Sequence, residues 1–350
     1  MSRYFDISLM TYRVKLLGSA LAASLVLGAC NDAQFNAETR KNAEPAPPDA
    51  PPPPPPENPP RCTDQLERLG AHVAFLIDNS NSNAATDCPG SVRLSQGNEA
   101  WECRQATSRE VATLAAFDTV LAAGGASNAV DARSRVSVAG FPVSNINGNP
   151  QLDWIDVAPG DARDQLAAGL RFTRRPGGLT PYGEAVDAAT ELFSGLENDG
   201  RGRVAVLVTD GEPTDRDPAE VAAKAQELTK MGVELITVFV TSGETRAARE
   251  ARHIEMLRNF NQSSLSNGQG PWYTDRYPTF DSWTADLLGR GGSQGGSLGL
   301  IRQISSKVDP SCQDATGSRC ERRMIEVGQA SALKSTFEQI IRSRVIGCVP

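Results

Sequence analysis

The sequence predicts an α/β fold, a doubly wound and mostly parallel sheet flanked by helices. Two observations carry this. The runs 72–77 (HVAFLI), 203–209 (RVAVLVT) and 233–241 (VELITVFVT) are nearly continuous apolar stretches rich in β-branched residues. Strands of that kind are buried on both faces, the habit of parallel sheets covered by helices, and helix-length stretches alternate with them here. Composition agrees: 39% hydrophobic residues, 31 glycines and a net charge of -7 fit neither a disordered chain nor a polytopic membrane protein. With a net acidic balance and no long basic run, a nucleic-acid surface is not expected.

Taken in order, the chain opens with a leader. From Met10 a short basic stretch (Arg13, Lys15) precedes an apolar run from Leu16 to Ala29. That run is too short for a spanning helix of about 20 residues and has the length of a signal-peptide core. Met10 is the better start, because residues 1–9 place Asp6 ahead of the basic residues. The run ends Leu27-Gly28-Ala29-Cys30, which resembles the lipobox of bacterial lipoproteins and implies cleavage after residue 29 and lipidation of Cys30. Asn31 then leans the expectation towards the outer membrane if the cell has two membranes. Residues 30–61 form a stalk: 11 of the 23 prolines fall between Pro45 and Pro60. Such a segment adopts polyproline II and spaces the anchor from the rest of the chain by about 50 Å.

Residues 62–350 are expected to be one domain. Strands are predicted at 72–77, 135–141, 203–209 and 233–241, with a further one at 323–327. Helices are predicted at 108–123, 181–196, 218–231, 245–259 and 331–346. Three segments, 83–107, 142–162 and 260–298, exceed the usual connection of about 4–6 residues. The last holds Trp272, Tyr273, Tyr277, Phe280 and Trp283, which suit either a satellite core under a long loop or an aromatic surface for a partner.

The candidate chemistry lies at strand ends. Asp78-Asn79-Ser80-Asn81-Ser82 follows HVAFLI directly, Asp210-Gly211 ends RVAVLVT, and Thr180 sits in Gly177-Gly178-Leu179-Thr180-Pro181 ahead of a helix. Ligands of open α/β sheets bind at the carboxyl ends of strands near a topological switch point. Asp78, Ser80, Ser82, Thr180 and Asp210 are five oxygen donors with no Cys or His nearby, a set suited to a hard octahedral cation and not to zinc. Such an edge is expected to be an exposed rim, at which alanine substitutions leave the fold intact. Glu212, Asp215 and Asp217 come shortly after Asp210 and are expected to form a solvated acidic loop, with cation ligation as the alternative.

These three motifs resemble the metal-ion-dependent adhesion site of von Willebrand factor type A domains, and residues 72–345 keep that family's order of elements. The resemblance implies that Ser80, Ser82 and Thr180 supply hydroxyl ligands, that Asp78 and Asp210 bind directly or through water, and that one coordination position is left for an acidic residue of a partner. It implies a Mg2+ cofactor, with Mn2+ or Ca2+ as alternatives. Asn83 departs from the hydrophobic residue that members often carry after the second serine, which bears on loop packing and not on the ligand set.

Without Cys30, six cysteines remain, an even number that allows 15 connectivities. Sequence proximity suggests Cys88–Cys103 and Cys312–Cys320, leaving Cys62–Cys348 to close the domain in an oxidising compartment. An enzyme is not expected, and no residue is assigned a catalytic role. Two G-x-S-x-G matches, at 291–295 and 295–299, lack a preceding strand, and no histidine occurs after His253. The resulting expectation is a lipid-anchored, Mg2+-dependent protein-binding module of adhesion type in the bacterial cell envelope. Its partner is a protein presenting an acidic residue, with a glycan as a second ligand class. The alternative is a scaffold or assembly factor that docks its partner on the aromatic loop without metal; a hydrolase is the remote third.

Overall fold

The computed structural model describes residues 70–88, 92–93, 101–124, 134–145, 151–243, 245–289, 299–308 and 321–344. The leader, Cys30, the stalk, both G-x-S-x-G matches apart from Gly299, and Cys62, Cys312, Cys320 and Cys348 lie outside them. Among the described residues, no helix is long and apolar enough to cross a membrane.

Strand β1 (Ala71–Asp78) leads through a one-turn helix α1 (Asn83–Thr86) and an antiparallel pair of two-residue strands, β2 (Val92–Arg93) with β3 (Trp101–Glu102), to helix α2 (Ser108–Gly124). The chain continues as β4 (Arg135–Phe141), β5 (Gln151–Asp156), α3 (Ala162–Gly169), α4 (Tyr182–Ser194), β6 (Gly202–Thr209), α5 (Pro218–Lys230) and β7 (Val233–Val240). It closes with α6 (Arg246–Ser266), α7 (Phe280–Leu287), α8 (Gly299–Ile304), β8 (Met324–Val327) and α9 (Leu333–Arg344). The main sheet runs β5-β4-β1-β6-β7-β8, with every neighbour pair parallel except the β4–β5 edge. β1 therefore lies between β4 and β6, and its carboxyl end is the topological switch point of the sheet.

Alternation along β1 shows why its apolar run is continuous. Val73, Phe75 and Ile77 face a layer built on Ala112, Ala116, Phe117, Leu166, Leu333 and Phe337, from α2, α3 and α9. Ala74 and Leu76 face the other layer, with Val186 and Phe193 of α4, Leu228 of α5 and Trp283 of α7. A strand covered on both sides has no polar position to alternate with.

The long segments carry elements that apolar runs do not reveal. Residues 142–162 contain β5, an antiparallel edge strand in which exposed Asp153 and Asp156 interrupt Leu152, Trp154 and buried Ile155. Trp154 donates to the Leu192 carbonyl at 3.1 Å and meets Phe193 edge-on. Helix α6 runs seven residues beyond its predicted end, from 259 to Ser266. The aromatic segment after it is a satellite core: Trp283 is fully buried and Tyr277 nearly so, and α7 begins with a capping box made by Thr279 and Ser282. Within the 83–107 insertion, Cys88 and Cys103 form a disulfide with Cα atoms 5.3 Å apart.

Candidate metal centre

At the carboxyl end of β1 the chain turns sharply, and its turn is stitched to both neighbours. The Asn79 amide donates to the Phe141 carbonyl at the end of β4 (2.6 Å), Gly177 N–H to the Asn79 carbonyl (2.7 Å) and Asn81 N–H to the Gly178 carbonyl (3.2 Å). Gly178 has φ +80°, a conformation glycine adopts without steric cost. Asp78 fixes the turn from inside: one carboxylate oxygen accepts from Ser80 N–H (2.7 Å) and the other from the Thr209 hydroxyl (2.6 Å). Both oxygens are thus engaged in holding the turn.

The remaining donors converge. Ser80 Oγ and Ser82 Oγ are 3.0 Å apart, and Ser82 Oγ donates to Asp210 Oδ1 at 2.9 Å. Adjacent ligands of an octahedron with bonds of 2.0–2.1 Å are about 3 Å apart, so these three oxygens already have the spacing of one face edge after another around a small hard cation. Thr180 is held by reciprocal bonds with Thr214, its amide to the Thr214 hydroxyl and its carbonyl from the Thr214 amide, both 3.1 Å. Its hydroxyl lies in the space that a Cβ at Gly211 would fill, so glycine beside Asp210 is what admits Thr180 to this edge. Among the described residues no group of three or more His, Cys, Asp or Glu could hold a metal; hydroxyl oxygens must complete any centre here, and the donor set fits one.

The centre is not an exposed rim. Asp78, Ser80, Thr180 and Asp210 are all buried, and Ser82, Gly178, Leu179 and Gly211 form its partly exposed mouth. The reason is a buried cation that the sequence reading missed. Arg109, in the first turn of α2, reaches under the turn and donates to the Asp78 carbonyl. Its Nη2 lies 3.2 Å from Asp210 Oδ1, and its Nε lies 2.6 Å from Asp87 Oδ2. The Asp87 approach is an ion pair off the hydrogen-bond direction, and neither Asp87 oxygen has an aligned donor. Side chains of Arg109, Asp87 and Asp210 are each 1% exposed. Burial pushes the Asp78 carboxyl up, with Arg109 pulling it back. Burial likewise lifts Asp87 to about 6 against the pull of Arg109. Burial also works against the charge on Arg109, but Asp87 first, then Asp210 and Asp78, outweigh it and raise its pKa. Arginine in a first helical turn faces the positive end of the helix dipole; that mismatch was the one sign of Arg109 in the sequence.

In the acidic loop after Asp210, Glu212 and Asp215 are buried and Asp217 is half-buried. Glu212 is buried against Arg249 of α6, Nε to Oε1 2.6 Å, and burial pushes its carboxyl up to about 7. Asp215 caps α4 by accepting from Tyr182 N–H (2.9 Å) and Gly183 N–H (2.7 Å), and burial raises it to about 6. Asp217 accepts from Glu220 N–H at the start of α5 and pairs with Arg276. Trp283 donates to the Asp215 carbonyl at 3.1 Å, so the aromatic segment buttresses the loop that carries Asp210. These carboxylates are engaged with helix-end amides and arginines.

The family model of the von Willebrand factor type A domain matches residues 149–267, and such a domain is supported over that span. The span includes Thr180 and Asp210 and begins after the Asp78–Ser82 turn. No curated protein matches the chain. Among solved structures, the chain is similar to the pilus adhesin SpaC from Lactobacillus rhamnosus GG, at TM-score 0.46 and 10% identity over 79% of this chain. It spans 30% of that adhesin's length. It is also similar to the mussel byssus proximal thread matrix protein 1 with zinc-occupied MIDAS motif, at TM-score 0.40 and 14% identity, covering 80% of this chain and 48% of that one. Manganese-loaded TRAP protein of Plasmodium vivax matches at TM-score 0.32 and 13% identity, covering 77% and 74%.

Proposed function

We propose that this chain is a cation-dependent protein-binding module of the von Willebrand factor type A kind, carried on a proline stalk and held in a bacterial cell envelope by lipid on Cys30. The observation that carries the reading is the run Ser80 Oγ, Ser82 Oγ, Asp210 Oδ1 at 3.0 and 2.9 Å at the switch point of the sheet. Ser80, Ser82, Thr180 and Asp210, with Asp78 through water, would hold Mg2+ or Mn2+. The cation would supply an electrophilic point at the mouth between Ser82 and Gly211. Carboxylate oxygen is the hard ligand such an ion prefers, so the partner is read as a protein presenting Asp or Glu; an acidic glycan offers the same group. The scaffold reading is left with a smaller surface, because Trp283 and Tyr277 are used inside the domain while Trp272, Tyr273 and Phe280 are half-buried against the same core.

The test is capture of partners from envelope extracts on the immobilised domain, in Mg2+ and in EDTA, with identification by mass spectrometry. A protein retained in Mg2+ and released by EDTA is the expected result. Partners retained equally in both would sink the metal-mediated reading. Anchoring is tested separately: Cys30→Ser is expected to move the protein from the membrane to the soluble fraction. One acyl chain anchors only marginally, so the lipid is expected to carry more than one. Unchanged membrane association would refute the anchor.

A further inference from the structure

We propose that Asp87 is a positioning residue of the cation centre: by pairing with Arg109 it keeps that guanidinium from neutralising Asp210, and so leaves the Asp210 carboxylate able to take a divalent ion. The inference rests on the cation reading above and concerns residues that reading does not use.

Arg109 lies between two carboxylates: its Nε is 2.6 Å from Asp87 Oδ2, off the hydrogen-bond direction, and its Nη2 donates to Asp210 Oδ1 at 3.2 Å. A guanidinium paired solely with Asp210 would cancel the one carboxylate that reaches the serine hydroxyls. Counting the buried groups gives the same answer. Three carboxylates, Asp78, Asp87 and Asp210, stand against one guanidinium, so the fully ionised cluster holds two negative charges, the number a divalent cation brings. Removing Asp87 leaves one, and the site then meets the cation half-compensated.

Asp87 is also held firmly enough to do this. Its amide bonds to the Asn83 carbonyl of α1 at 3.0 Å, and its carbonyl accepts from Ser108 N–H at 3.3 Å. The next residue is Cys88, whose disulfide to Cys103 closes the loop between Asp87 and the start of α2. The two members of the pair therefore leave from the two ends of one stapled loop. With no aligned hydrogen bond to either of its oxygens, Asp87 has Arg109 as the charge that compensates its burial. An ion pair that served only to dock α2 would not need to share its cation with the centre.

The experiment is calorimetric titration of the full chain with Mg2+ and Mn2+ for wild type, Asp87→Asn and the double variant Asp87→Asn/Arg109→Met, with unfolding temperature in EDTA as the fold control. Asp87→Asn is expected to bind at least about tenfold more weakly, and the double variant, which restores the charge balance, to return to within about threefold of wild type. Equal affinity in wild type and Asp87→Asn, with only the unfolding temperature lowered, would overturn this proposal and leave the cation reading standing. No binding by wild type would remove both. Arg109→Gln keeps the test decisive if Asp87→Asn does not fold: with three carboxylates unopposed, its unfolding temperature should rise more steeply with added cation than that of wild type. An equal or shallower rise counts against the proposal.

Discussion

Asp210→Asn is expected to weaken Mg2+ and Mn2+ binding by at least about 100-fold, with an apo protein that unfolds within a few degrees of wild type. The substitution removes the charge and keeps the shape. Asn Oδ1 can still accept from Ser82 and from Arg109, which stand 2.9 and 3.2 Å from Asp210 Oδ1. On the other side Thr86, whose hydroxyl now donates to Asp210 Oδ2 at 2.6 Å, can rotate to accept from the new amide. What is lost is the anionic oxygen, and losing even an outer-shell partner of a metal ligand costs about 10–100-fold in affinity. Asp210→Ala is a poorer test in this protein, because it strands Arg109, Ser82 and Thr86 in a buried site, and breaking a buried pair costs about 3–5 kcal/mol. Gly211→Ala should reach the same loss of affinity by a different route, since its Cβ displaces the Thr180 hydroxyl. Calorimetry on the three proteins, with circular dichroism in EDTA, checks this. Wild-type affinity in Asp210→Asn would mean that the serine turn alone, or some other site, holds the ion.

How much of this could be read from the chain depends on whether the signal was local. β1, β6 and β7 were legible because strands buried on both faces leave nearly continuous apolar runs, and the turn at Asp78 was legible because its donors lie within five residues. β5 was not, since in this six-residue edge strand Asp153 and Asp156 break up Leu152, Trp154 and Ile155, leaving no apolar run to read. Arg109 and Asp87 were silent for a different reason: they are 22 positions apart, on either side of a disulfide loop, and no spacing rule joins them. The same blindness produced the expectation of an exposed rim and a solvated acidic loop. Both were judged from the polarity of the residues, whereas Glu212 and Asp215 are buried because Arg249 and the amides of Tyr182 and Gly183 are there to meet them.

His253 should make the domain acid-labile, and the effect can be isolated. It lies on α6, 4% exposed, with Nε2 lacking a partner and its ring bonded to the Pro213 carbonyl. Burial, with a smaller push from Arg252, drives its pKa down to about 3, against the upward pull of Pro213. Between that value and about 6.5, where an unfolded histidine titrates, the unfolded chain binds the proton and the folded one refuses it. Stability from this group is therefore complete above about pH 6.5 and is lost as pH falls, at up to about 1.4 kcal/mol per unit. Glu212 and Asp215 act in the opposite sense, because burial raises both and the folded state keeps their protons longer. Their contribution declines as pH rises through about 4–7, so the wild-type curve alone is a composite. Comparison with His253→Asn, which keeps an amide N–H for Pro213 and does not titrate, cancels the carboxylates. At pH 7.5 the variant is expected to be less stable by about 1–2 kcal/mol, through imperfect filling of the ring's space. On acidification the gap should close and then reverse by about pH 5. Urea unfolding of both proteins in EDTA, from pH 4.5 to 7.5, gives the difference directly. A gap that stays constant across that range would show that His253 titrates alike in the folded and unfolded chain, and would refute its burial as a neutral ring.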